Sequence, residues 1–279
     1  MRLTVSHDTT YRFDPPMRGV VQSLRLTPSV CENQQVVGWA VTAEGAERGA
    51  GFRDGAGDWV ETITHIGPVD MLTVSVSGEV ETIDTGGVLK GHRERMPPPA
   101  YLETTRATAP DRALETLARD AVAGIDAGDV LARAHALCDA IEAAIRYTPG
   151  ETEHGTTAAE ALTLGHGVCQ DHAHAMIACA SVLDIPARYV TGYLFASEEA
   201  GGHEASHAWA ELFVADLGWV GFDASNGVCP DARYIRIGSG ADAQEAAPIR
   251  GVAQGAGTEA LEARVQVDRV AQSQSQSQA

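Results

Sequence analysis

The spacing of apolar residues changes from a strand period to a helical one at the proline-rich stretch MPPPA (96–100), and that change limits what the chain can become. Before it, apolar and polar residues alternate. In MLTVSVSGEV (71–80), Leu72, Val74 and Val76 fall on one face and Thr73, Ser75 and Ser77 on the other. A period of two belongs to a strand buried on one side. LRLTP (24–28), VVGWAV (36–41) and WVETITHI (59–66) are also rich in β-branched residues, with Gly/Asp clusters such as DGAGD (54–58) between them. Short strands punctuated in this way predict a small β-sandwich or barrel over residues 1–95.

After the break the period becomes helical. Leu114, Leu117, Ala118, Ala121 and Val122 form one stripe over 111–123. A second helix over 129–146 starts at an Asp129 cap and carries Leu131, Ala134, Leu137, Cys138, Ile141 and Ile145 on its apolar side. Thr157 and Glu160 have the spacing of a capping box for a short helix ending before Gly165. Another helix is expected from Cys169 to about Leu183, stopped by DIP (184–186), with strands following at 187–195, 207–215 and 218–223. A loop at 196–206 separates the first two strands. EARVQV (262–267) alternates again as a late strand, and AQSQSQSQA (271–279) has the composition of a disordered tail. The expected organisation is therefore a β-rich unit over 1–95, an α+β core over 96–240, a segment with a late strand over 241–270 and a tail over 271–279.

The formal net charge is −18, with 38 acidic against 20 basic residues. A charge of that sign repels phosphate, and no Lys/Arg-rich run offsets it, so neither nucleic acid nor an anionic membrane surface is an expected partner. The N-terminus MRLTVSHDTTYRF lacks the apolar region of a signal peptide, and no apolar run reaches the roughly 18–20 residues of a membrane span. Five cysteines without paired spacing suggest neither a disulfide framework nor a zinc motif, so a reducing, cytoplasmic setting is expected.

Two segments carry chemistry. In GHGVCQDHAH (165–174), two glycines lead into a cysteine that opens a helix. Unpaired N–H groups and the helix dipole at such a position stabilise a thiolate, and the same N–H groups can hold an oxyanion. Cys31, Cys138, Cys179 and Cys229 lack that setting and read as small buried hydrophobes. The second segment, SHAWAELFVADLGWVGFD (206–223), reads as a hairpin. Ala208, Ala210, Leu212, Val214, Val220 and Phe222 make its apolar face, and His207, Trp209, Glu211, Trp219 and Asp223 lie on the other. His207 and Asp223 then share a face, as a general base and its orienting carboxylate require, provided that the connecting loop has an odd number of residues. Cys169, His207 and Asp223 complete a nucleophile–base–orienter set. His154, His166 and His203 fall in loops and read as solvated. His172 lies near the Cys169 face of the helix, and His174 points elsewhere. Trp209 and Trp219 read as packing that shares an edge with the site.

These residues carry a resemblance. GVCQD (167–171), IPARYVTGY (185–193), HAWAE (207–211) and GWVGFD (218–223) resemble, in order and spacing, the bacterial transglutaminase-like family, which includes candidate cysteine proteases. YRFDPP (11–16), SLRLTP (23–28) and CENQ (31–34) are similar to the β-rich domain that precedes the core in that family. The resemblance implies a papain-like α+β core with Cys169 as nucleophile, His207 as base and Asp223 as orienter. Gln170 and Asp171 match the positions after the nucleophile, and Glu211 the acidic position after HAW. With His172 and Trp209 they are expected to support the site or line the substrate. The sequence departs from the family at His172, where an aromatic is usual, and at Ala224-Ser225, where Pro-Thr is usual.

The expected activity is hydrolysis of a peptide or protein amide through a thioester acyl-enzyme, with no cofactor. No calcium-type loop is present. Acyl transfer to an amine and deamidation of glutamine use the same intermediate. From other classes, Cys169, His172, His207 and Asp223 could ligate zinc, or the fold could serve as a silent scaffold.

Overall fold

A computed structural model describes residues 1–196 and 206–270. His203, most of the 196–206 loop and the 271–279 tail lie outside the described residues.

The β-rich unit is built on two long strands, β1 (Arg2–Leu24) and β4 (Trp59–Thr82), paired antiparallel. β2 (Gln34–Ala43) and β3 (Glu47–Arg53) each pair with part of β4. Two late strands, β11 (Ile249–Gln254) and β12 (Thr258–Arg269), follow each other along the far side of β1. The result is one six-stranded sheet rather than a set of short strands. The difference has a local cause. Pro15, Pro16 and Pro68 lack N–H groups, and the long strands run through them because the pairing of β1 with β4 shifts register between Arg12, Met17 and Gly19, where ladder bonds are not needed. A Cβ at Gly67 would meet the Met17 carbonyl at 2.3 Å, so only glycine fits this crossing. Val20, Leu24 and Ile63 from one half of the sheet share a core with Val41, Val74 and Val76 from the other.

The second unit packs helices on a four-stranded antiparallel sheet. Its helices are α1 (Arg112–Ala121), α2 (Val130–Ala144), α3 (Ala158–Leu164) and α4 (Cys169–Val182). Asp111, Asp129 and Thr157 cap the first three, and Thr157 and Glu160 form the reciprocal box that their spacing predicts. The sheet contains β7 (Ala187–Leu194), β8 (Ser206–Val214), β9 (Gly218–Phe222) and β10 (Tyr234–Gly240), in the order β10-β7-β8-β9. Ala208, Ala210, Leu212, Val220 and Phe222 face Met176, Ile177 and the other apolar residues of the helices. Two further short strands, β5 (Arg146–Tyr147) and β6 (His166–Gly167), pair in parallel beside α4. No helix among the described residues is long and apolar enough to cross a membrane.

The two units meet on the reverse face of the second sheet. Leu3, Val5 and Val267 pack against Tyr193, Ile235 and Ile237. Beside them lies a buried charge network. Glu211 accepts from Arg236 Nε at 2.9 Å and from Arg188 Nε at 2.7 Å. Arg236 also reaches Asp58 at 2.9 Å, and Arg188 pairs with Glu94 and sits 4.0 Å over the Trp219 ring. Burial alone would raise the Glu211 carboxyl, but the two guanidinium groups outweigh it and hold it down at about 2.

Candidate active site

The loop that delivers Cys169 is set by its glycines and by Asp171. Gly165 ends α3 in the left-handed region at φ 69°. A Cβ at Gly167 would meet the Asp171 carboxylate at 2.9 Å, so glycine lets that side chain fold back over the turn. Asp171, fully buried, accepts from the Val168 backbone N–H at 2.8 Å and from Thr152 Oγ1 at 2.7 Å. Val168 is extended, and the helix begins at Cys169. As the first two helical residues, Cys169 and Gln170 have backbone N–H groups with no acceptor inside the helix.

His207 and Asp223 meet from neighbouring strands. β8 and β9 pair in the register that joins Val214 to Gly218 and Ala210 to Phe222, across the three-residue loop 215–217. An odd loop is what a shared face requires. His207 Nε2 lies 2.6 Å from Asp223 Oδ2, both residues buried. The same oxygen accepts from Asn226 Nδ2 and from the Tyr234 hydroxyl, each at 2.7 Å, while Oδ1 accepts from the Ser225 backbone N–H at 3.0 Å and from its hydroxyl at 2.7 Å. Cys169 and His207 line one cleft, and with Nε2 engaged by Asp223 the remaining ring nitrogen is Nδ1. Burial opposes a charged imidazole here, but the bond to Asp223 and the approach of Cys169 override it and raise His207 to about 10. Burial likewise opposes ionisation of Asp223, and His207, Asn226 and Ser225 hold it below the usual carboxylate range.

A cleft of about 420 Å³ opens on Cys169 and His207, with Gln170 and Tyr189 on its walls. Ala263 and Val265 of β12 form another wall, so the β-rich unit contributes to the cleft through its last strand. His154, read from sequence as solvated, also lines it.

Other expected site residues lie elsewhere. His172 is buried, with Nδ1 2.8 Å from the Val168 carbonyl and Nε2 2.8 Å from that of Ile145. Neither nitrogen is free for substrate or metal. His172 shares the Cys169 side of the helix, but its bonds to the Val168 and Ile145 carbonyls, like those of Asp171 to the Val168 N–H and Thr152, turn both side chains back onto the loop rather than into the cleft. Among the described residues no group of three His, Cys, Asp or Glu side chains is arranged to hold a metal. Trp209 and Glu211 border a separate cavity of about 40 Å³ on the reverse face, with Cys31, Tyr234 and Arg236. Glu211 anchors two arginines instead of substrate, and Trp209 packs edge-on against Tyr234 at 5.5 Å. His174 is buried, its Nε2 accepting from the Ala243 N–H at 3.1 Å, and burial lowers it to about 4. Burial pushes the thiols of Cys31, Cys138, Cys179 and Cys229 up, to about 12 for Cys138 and Cys179.

Sequence reading missed Tyr234 and Asn226. Asn226 had a signal, since an Asn three residues after an Asp and just before Gly227 is turn chemistry. Tyr234 had none, because only the pairing of β10 with β7 carries it to the site. Tyr234→Phe removes one donor from a buried carboxylate while keeping the ring. Urea unfolding should show a loss of about 1.5–3 kcal/mol, the range for a hydrogen bond to a charged group. A loss below ~0.5 kcal/mol would mean that this bond contributes little.

Comparison with known proteins gives a consistent family match. Residues 115–224 match the transglutaminase-like superfamily, and residues 3–81 match the bacterial transglutaminase-like N-terminal region. An uncharacterized Mycobacterium leprae protein is 30% identical over 286 residues, covering 97% of this chain and 99% of its own. An uncharacterized Mycobacterium tuberculosis protein is 36% identical over 115 residues, 38% of this chain and 37% of its own. In structure, a candidate cysteine protease from Cytophaga hutchinsonii superposes with a TM-score of 0.74 at 24% identity, over 96% of this chain and 90% of that one. That likeness bears on the fold.

Proposed function

The chain belongs to the transglutaminase-like superfamily, and from the geometry of its cleft we propose that it is a thiol-dependent amide-bond hydrolase acting on peptides or proteins. The observation that carries the reading is the 2.6 Å contact of His207 Nε2 with Asp223, on a ring that shares one cleft with Cys169.

Cys169 attacks the carbonyl carbon as a thiolate paired with protonated His207. The carbonyl oxygen takes the electron pair and is held by the free N–H groups of Cys169 and Gln170. The oxyanion collapses, the C–N bond breaks, and His207 gives its proton to the departing amine. A thioester remains. Water, deprotonated by His207, then attacks it, releasing the acid and restoring the thiol. Asp223 holds the ring orientation and favours its charged form throughout. An amine in place of water would give a transferred amide. Hydrolysis is favoured because no element of the sequence reads as a dedicated amine site.

The test is a peptide mixture that includes glutamine-bearing peptides and a free primary amine, incubated with wild type and with Cys169→Ala and read by mass spectrometry. Cleavage products made only by wild type are expected. Amine adducts or deamidated glutamine would move the assignment to acyl transfer or side-chain hydrolysis, and identical spectra from the two proteins would count against a thiol hydrolase of peptides.

A further inference from the structure

The last strand of the β-rich unit reaches the cleft with its backbone unpaired. Among the described residues β12 pairs only with β1, so its other edge has no partner strand. The ladder decides which residues face that edge. The Val270 N–H donates to the Arg2 carbonyl at 3.0 Å, and residues that bond across an antiparallel pair recur at every second position. The even-numbered residues of β12 therefore turn their backbone groups to β1. Leu261, Ala263 and Val265 turn theirs outward. Two of these, Ala263 and Val265, line the same cleft as Cys169 and His207.

We propose that an extended segment of the substrate polypeptide pairs with the open edge of β12 at Ala263 and Val265, adding a strand that carries its scissile amide to Cys169. This rests on the reading of the site as an amide hydrolase. The chemistry of the cleft favours such an occupant. Among the described residues that line it there is no Asp, Glu, Lys or Arg, so beyond the Cys169–His207 pair it offers no charge with which to select an ionic ligand, whereas the edge offers main-chain donors and acceptors. An extended polypeptide is the ligand that matches a row of such groups, and pairing of this kind draws its affinity from the backbone. Substrate recognition would then tolerate many sequences but require an unfolded or extended segment. It also gives the β-rich unit a part in catalysis, through a strand that lies after the core in sequence and beside the cleft in space.

The test compares two reagents with the same warhead, alanyl chloromethyl ketone and its tri-alanyl homologue, by their rates of labelling Cys169 in wild type and in Ala263→Pro. Proline is tolerated on an edge strand where the N–H points outward, so the variant keeps its pairing with β1 and loses one donor. In wild type the longer reagent should react faster. In Ala263→Pro the ratio of long to short rates should fall about 3- to 10-fold, the effect of one backbone hydrogen bond. N-methylation of single amides in the longer reagent, tested on wild type, should produce a similar loss at one position, and this arm does not depend on folding of the variant. A long-reagent advantage that survives both changes would overturn strand addition and leave the hydrolase reading intact. If iodoacetamide labels Cys169 but neither ketone does, the hydrolase reading fails and the proposal with it. A wild-type dimer that becomes a monomer in Ala263→Pro would assign the edge to a second copy of the chain.

Discussion

Asp223→Asn should lower the turnover of any peptide cleaved by wild type by about 10³- to 10⁴-fold while leaving the protein folded, as expected when the orienter of a catalytic imidazole loses its charge. The argument rests on the partners of the carboxylate. Oδ2 receives His207, Asn226 and Tyr234, and Oδ1 receives Ser225 twice. An asparagine oxygen can still accept part of this set, so the turn survives. What it cannot do is stabilise the imidazolium. His207 is raised to about 10 against the cost of burial largely through this bond and the approach of Cys169, so removing the charge lowers it. The alkaline limb of the rate profile, where His207 loses its proton and the thiolate–imidazolium pair is lost, should move to lower pH. The same raised value links to stability: the contribution of His207 is full below its ordinary 6.5 and is lost as pH rises through about 10. A turnover loss of less than about tenfold, with an unmoved alkaline limb, would remove Asp223 from the role of orienter.

Glu211→Ala should cost about 3–5 kcal/mol of folding stability, the range for breaking a buried ion pair on one side. Glu211 is buried and holds Arg188 and Arg236 at once. Without it Arg188 keeps Glu94 and Arg236 keeps Asp58, so the loss should fall near the lower end of that range. Urea unfolding measures it. The sign of the pH dependence follows from the depressed value of about 2 against an ordinary 4.5: the stabilisation is complete above 4.5 and is lost as pH falls toward 2. Wild type should therefore lose stability over that acid window more steeply than Glu211→Ala. Equal slopes with a loss below ~1 kcal/mol would show that the network contributes specificity rather than stability.

The core of the site was legible because local chemistry specifies it. Glycines before a cysteine at a helix start, and strict alternation along 206–223, are patterns of period and capping that need no distant partner. The three-residue loop at 215–217 preserves the register that puts His207 and Asp223 on one face. The errors came where neighbours in space decide. Trp209 and Glu211 share the face of His207 by alternation, yet the β-rich unit covers that face farther along β8 and turns Glu211 into an anchor for two arginines. The short strands expected over 1–95 merge into long ones because sequence does not reveal that the irregular stretches of β1 and β4 lie opposite each other.

By itself the sequence determined the change from strands to helices at the proline-rich stretch, the helix that opens on Cys169 and the shared face of His207 and Asp223. Each of these follows from a repeat or a capping pattern within about twenty residues. Only the tertiary structure decided that β12 returns beside β1 to wall the cleft, that Tyr234 completes the Asp223 cage, and that His172 turns inward. Those outcomes depend on long-range pairing and on which buried polar groups must find partners, and no local period encodes either.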